Sequence, residues 1–411
     1  MTTSRHHSLL GISGLVAAVA VMTALGGCGG SGGSTTGASV PATDSSAAHP
    51  TSSPSWPASA NAALPKPAAD QLQAQLTRYI AEKNLVGLSA AVVTPKGSWA
   101  GAVGVDGAGK AIRADSALAI ASTTKTFVAA EILLLSQEGK IKLDAPVTDY
   151  VTLPFDSKGA TIRQLATMTA GFPELPETTI RPMVSADLTK VWACSDVVAL
   201  VDPNAARLGT LGGPSAYNGL NYYILGMVIE KVTGQPLASV VRSDLLTPAG
   251  LDRIWTQTGA KPETPQPPLA MPVDDTTYPV IDATSGYLPS TAAATSSCAG
   301  AGMAADAPSL ARWGYLLYGG HVIDNSLVKV MTTANPQGGD FNYGFGTMIA
   351  DDNGAPVWGH AGNYIQYTSI VLVWPKDATA VSVLVPMTGG PDNDSRGDLA
   401  FQLHQTVLTS G

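Results

Sequence analysis

IASTTKTFVA, residues 120–129, decides how the rest of this chain is read. It sets Ser122 three residues before Lys125, ahead of an apolar run, FVAAEILLLSQEG, that closes at Gly139. Residues three apart share one face of a helix, so the hydroxyl and the amine meet if a helix starts here. One reading makes Ser122 an ordinary N-cap, a position serine favours. A capping box, however, asks for Glu or Gln three residues on, and a cation in the first turn opposes the helix dipole. The other reading is chemical. A lysine buried near the positive end of a helix is pushed toward its neutral form, and a neutral amine beside a hydroxyl can take its proton. The spacing alone is weak, because Ser326 and Lys329 repeat it in a polar stretch that reads as surface. The competing G-x-S-x-G pattern occurs only at Gly29–Gly33, inside low-complexity sequence, and carries no weight.

Outward from that run, the chain has 411 residues, 45% of them hydrophobic, enough for a sizeable core. Its formal charge is −8 and no basic cluster occurs, which argues against nucleic acid as a partner. The first 27 residues read as an export signal, with Arg5 before an apolar stretch from Leu9 to Leu25. The stretch ends in LGGC, similar to a bacterial lipobox, so Cys28 is the expected lipidation site and the mature N-terminus. An ordinary cleaved signal or an uncleaved anchor are the other readings. Residues 28–69 are rich in Gly, Ser, Thr, Ala and Pro and read as a linker that lifts a folded domain, residues 70–411, clear of the membrane. With Cys28 used by lipid, Cys194 and Cys298 form an even pair in an oxidising compartment. A disulfide between them is one expectation; two separate buried thiols are the other.

Leu72, Leu76, Tyr79 and Ile80 repeat at helical spacing near the domain's start. Two β-prone runs then flank Thr94-Pro95-Lys96-Gly97, a hairpin signal. A second hairpin is expected over 366–374 and 379–386, followed by a closing helix. Strands at both ends with helices between predict an α/β (α+β) fold, an antiparallel sheet flanked by helices and built from N- and C-terminal segments. One lobe takes residues 70–120 and 298–411, and a mostly helical lobe takes 121–297. The crevice between lobes is the default ligand site.

From about Asp70 to Leu408 the chain resembles the serine β-lactamase superfamily, in its class C-like, penicillin-binding-protein-like branch of D-alanyl-D-alanine carboxypeptidases and serine esterases. The likeness rests on IASTTKTFVAAEILLLSQEGKIKLDAPVTDYV, TIRQLATMTAGFP (161–173), LNYYILGMVIEKVTGQPL (220–237) and YGFGTMIADDNGAPVWGHAGN (343–363), in that order. It implies Ser122 as the acylated nucleophile and Lys125 as its base. It places the third motif on His360-Ala361-Gly362, and the backbone N–H groups of Ser122 and Asn363 in an oxyanion hole. The second motif departs from the pattern. The branch usually has Tyr-x-Asn, and here Tyr217-Asn218-Gly219 stands in its place. Tyr217 remains as a second proton carrier, while Asn218 would meet the substrate amide only from a re-registered loop. Together these imply an acyl-enzyme hydrolase for an ester, amide or D-Ala-peptide-like substrate. The six histidines show neither H-E-x-x-H nor clustered spacing, so no metal or cofactor is expected, and a tethered monomer is the simplest expectation. A non-catalytic envelope protein that keeps this fold to bind cell-wall peptides is the rival reading, favoured by the altered second motif.

Overall fold

The computed structural model describes residues 50, 52–59, 62–259, 270–273, 281–282, 286–339, 342–364, 366–387 and 395–410. The export signal and Cys28 lie outside these residues.

A six-stranded antiparallel sheet organises the molecule. β1 (Gly87–Thr94) and β2 (Gly97–Gly104) form the first hairpin, closed at Thr94 opposite Gly97. The C-terminal strands β6 (Met348–Asp352), β7 (Ala355–Tyr364), β8 (Tyr367–Trp374) and β9 (Thr379–Val385) complete the order β2-β1-β9-β8-β7-β6. β1 thus pairs with β9, joining the two ends of the domain. Side-chain alternation divides the core. Ala90, Val92, Val381 and Val383 meet Leu72, Leu76 and Tyr79 of the helix Lys66–Lys83 and Leu399 and Leu403 of the helix Ser395–Thr409. Ala91, Val93, Val371, Val373 and Leu384 face the other way, into the main core with Phe127 and Trp313. Strands buried on both faces lose the polar alternation of an exposed sheet, which is why β1, β8 and β9 read as continuous apolar runs.

The helix Ala307–Tyr318 lies under β1, β8 and β9, and the expected nucleophile helix, Thr124–Gln137, lies beyond it. Phe127 stacks on Trp313 at 3.9 Å between ring centroids and ties the two helices together. A small second sheet, absent from the sequence reading, joins β3 (Leu118–Ala119), β5 (Met303–Ala305) and β4 (Ile254–Thr256) in that order. It carries a strand from within 121–297 to the segment leading into Ser122, so the two expected lobes share a seam. A disulfide joins Cys194 to Cys298, and the added Cβ of any residue at Gly226 would lie 3.0 Å from the Cys194 sulfur.

The expected linker reaches too far. Residues 52–59 dock on the domain: Trp56 packs against Tyr315 at 5.3 Å, and the Ser55 amide donates to the Gly319 carbonyl at 2.8 Å. The first helix begins at Lys66, with proline in its first turn, where a missing N–H costs nothing.

Candidate active site

Ser122 sits in a single 3-10 turn, Ala121–Thr123, between β3 and the nucleophile helix. Ala121 takes φ +48°, a left-handed conformation costing about 1–2 kcal/mol in a residue with a Cβ. Neighbours hold that strained turn in place. Ser369 of β8 donates to the Ile120 carbonyl at 2.6 Å and meets the Thr123 hydroxyl at 2.9 Å. Opposite Ser369 stands Gly362. A Cβ there would lie 2.2 Å from the Ile120 oxygen, so only glycine lets β7 come this close to the turn.

Lys125, one turn on, is 2% exposed. Its Nζ lies 2.9 Å from Ser122 Oγ and donates to the Gly300 carbonyl at 2.7 Å. Among the described residues no carboxylate pairs with it, and burial lowers its pKa from 10.5 to about 7. The amine is therefore neutral in a large fraction of molecules at physiological pH, as a base for Ser122 requires. The Tyr217 ring lies 5.1 Å from Nζ, with its hydroxyl facing the Ser122 side chain. Burial raises the Tyr217 pKa, so the phenol stays protonated and is able to donate a proton.

His360 is fully buried on β7. Its Nδ1 is 2.6 Å from the Ala361 carbonyl, which fixes the proton there, and Nε2 accepts from the Tyr343 hydroxyl at 3.0 Å. Burial, with the nearby Lys125 charge, lowers its pKa to about 3. The ring is neutral, both nitrogens are engaged, and it packs at 6.2 Å from Tyr217. With both nitrogens engaged by Tyr343 and Ala361, the neutral ring is not poised to carry a proton. β6 pairs only as far as Gly359, so His360–Tyr364 has β8 on one side and, among the described residues, no strand on the other. Asn363, on that stretch, is exposed.

Asn218 requires a correction. Its Oδ1 accepts from the Leu220 amide at 2.9 Å, capping the helix Gly219–Thr233. Its Nδ2 donates to the Phe172 and Pro173 carbonyls at 3.2 and 2.8 Å. With both donors spent inside the protein, the side chain is a cap and a loop tether, not a substrate contact. Gly219 leaves the position beside it without a side chain. The sequence reading also missed Gly300 and Tyr343, whose roles come from contacts 175 and 17 residues distant in the chain. By contrast Ser326 and Lys329 are both exposed, as a surface helix would have them.

The family profile described as Beta-lactamase matches residues 71–405. Among individual proteins, Esterase EstB of Burkholderia gladioli is 32% identical over 160 residues, 35% of this chain and 39% of that protein. Penicillin-binding protein 4* of Bacillus subtilis is 25% identical over 148 residues, 34% of this chain and 31% of that one. The chain thus spans about a third of the length of these curated relatives. Of solved structures, D-amino acid amidase from Ochrobactrum anthropi SV3 superposes with TM-score 0.70 at 20% identity, covering 84% of this chain and 99% of that one. A D-stereospecific amidohydrolase from Streptomyces sp. gives TM-score 0.65 at 24% identity, covering 81% and 98%. These superpositions establish the fold.

Proposed function

The chain belongs to the beta-lactamase family, and from that premise we propose that it is a serine hydrolase acting through an acyl-enzyme on Ser122. The observation that carries this reading is the buried lysine, 2.9 Å from the Ser122 hydroxyl and, among the described residues, without a carboxylate partner, its pKa lowered to about 7. Lys125 takes the hydroxyl proton as Oγ attacks the substrate carbonyl. The amides of Ser122 and Asn363 receive the oxyanion, and Tyr217 protonates the leaving group. Lys125 passes its proton to Tyr217, restoring both groups; water then attacks the acyl-enzyme, giving a proton to Lys125, which returns it to Ser122 Oγ as the acid is released.

The substrate class we assign is an ester or small amide. His360 carries no charge above about pH 3, so the third motif offers no cation to a substrate carboxylate of the kind found in β-lactams or D-Ala peptides. Asn218 is committed elsewhere. The named relatives include an esterase and a D-amino acid amidase, which supports the same direction. We place the enzyme outside the cytoplasm as a monomer, held to the membrane by lipid on Cys28.

The test is labelling of the full chain with a fluorophosphonate and turnover of p-nitrophenyl acetate. The expected result is one covalent adduct, on Ser122, and turnover lost in Ser122→Ala. Absence of both adduct and turnover would overturn the reading and leave a binding role for the fold. Faster turnover of nitrocefin or a D-Ala-D-Ala peptide than of esters would overturn the substrate class.

A further inference from the structure

The missing asparagine side chain leaves room, and another residue has entered it. Gly219 opens its helix, and Tyr223 stands four residues on, on the same face. A Cβ built on Gly219 would lie 3.5 Å from the Tyr223 hydroxyl and 3.7 Å from its Cζ. The tyrosine tip therefore occupies the space toward which a side chain at 219 would extend. Its ring edge also covers Gly300, where an added Cβ would lie only 2.5 Å from Cε1. Gly300 is the residue whose carbonyl holds Lys125, so the Tyr223 ring borders the nucleophile's own support.

The Tyr223 ring packs against the core, but its hydroxyl is not sealed within it. Tyr223 is partly exposed, and among the described residues no hydrogen bond engages its hydroxyl. It lies within electrostatic range of Tyr217, which faces Ser122, and of Tyr364, which follows Asn363 on β7. That places it near both the Ser122 side of the site and the end of β7, with the Glu177 carboxylate also in range. Burial raises its pKa, so it is a neutral donor at working pH.

We infer that Tyr223 is a specificity-determining residue, its hydroxyl donating to an oxygen on the acyl side of the substrate beyond the scissile carbonyl. This rests on the acyl-enzyme reading of Ser122. A phenol supplies one donor where a carboxamide supplies two donors and an acceptor. Acyl groups with one accessible carbonyl or ether oxygen are therefore favoured over those needing a donor–acceptor pair.

Two p-nitrophenyl esters separate the outcomes, N-acetylglycyl and butyryl, the second lacking the extra oxygen. In Tyr223→Phe, kcat/KM for the N-acetylglycyl ester is expected to fall roughly five- to tenfold. The fall for the butyryl ester is expected to be smaller, at unchanged Tm and an unchanged rate of fluorophosphonate labelling at Ser122. Gly219→Asn should impair both esters by crowding the Tyr223 tip, and Gly219→Asn with Tyr223→Ala should restore the preference for the N-acetylglycyl ester. Equal losses on both esters, or none, in a variant that still labels would overturn the role of Tyr223 alone. Failure of the unmodified protein to label or turn over either ester would overturn the acyl-enzyme reading and this inference with it.

Discussion

In the proposed mechanism Lys125 serves catalysis at the expense of stability, because burial disfavours its charged form in the folded state only. Its folded pKa, about 7, is below its ordinary 10.5, so between those values the unfolded chain binds more protons and stability rises with pH. Below pH 7 the destabilisation is fully present; toward pH 10 it fades. Lys125→Met is accordingly expected to raise stability by roughly 1–2 kcal/mol near pH 6, with the gain shrinking as pH rises. Ester turnover should fall by roughly a thousandfold or more. Urea midpoints at pH 6 and pH 9 check the first statement. The same lysine sets the pH profile. Turnover at low substrate should climb along one ascending limb with an apparent pKa near 7. No limb from His360 should appear above about pH 3, because that ring is already neutral. A second inflection between pH 5 and 6.5 would contradict the assignment of Lys125 as the only titrating base.

At the scale of elements, the nucleophile helix holds a second misplaced charge. Glu131 is fully buried, and neither carboxylate oxygen has a hydrogen-bond partner among the described residues. Burial, with Asp244 and Glu138 nearby, raises its pKa well above the carboxylate range. A raised carboxyl pKa means that stability falls as pH climbs from about 4.5 toward the folded value, since the native state then holds the extra proton. Glu131→Gln should therefore stabilise the protein by roughly 1–3 kcal/mol at pH 8 and change little at pH 4.5, as paired denaturation curves would show. A loss of stability at pH 8 would mean that the carboxyl is satisfied in solution. Elements of this kind also show what sequence can and cannot carry. The two hairpins are legible because Thr94–Gly97 and Pro375–Ala378 interrupt continuous β-prone runs. The Ser122–Lys125 pair is legible because a cation there has no structural use. The three-stranded sheet is not, since strands of two or three residues have no period to detect. Nor is the fate of Asn218, whose partners Phe172 and Pro173 are brought to it by folding alone.

The described domain closes through its terminal segments, β1 against β9 and the helix Lys66–Lys83 beside Ser395–Thr409. The docked segment 52–59 extends that closure, and composition hides it. Serines and prolines read as linker, yet one tryptophan anchors the run. Trp56 lies on Tyr315, Tyr315 donates to the Pro57 carbonyl at 2.8 Å, and the Ser52 amide donates to Asp324 at 2.8 Å. Asp324 also accepts from Gln137 at 2.8 Å, at the end of the nucleophile helix. The segment thus braces the helix that carries Ser122 and Lys125 from its far end. Trp56→Ala should cost about 1–3 kcal/mol, less than a fully buried tryptophan because the ring is partly exposed. A chain beginning at Lys66 should lose at least as much as the single substitution, with the hydrogen bonds to Asp324 and Gly319 gone as well. Because the brace lies at the opposite end of the helix from Ser122, the rate of fluorophosphonate labelling at low temperature should stay close to that of the longer chain. Thermal melts of the two lengths, read beside their labelling rates, decide it. Equal melting temperatures would show that residues 52–59 rest on the domain without supporting it, and a labelling rate that fell with stability would place the brace in the geometry of the site itself.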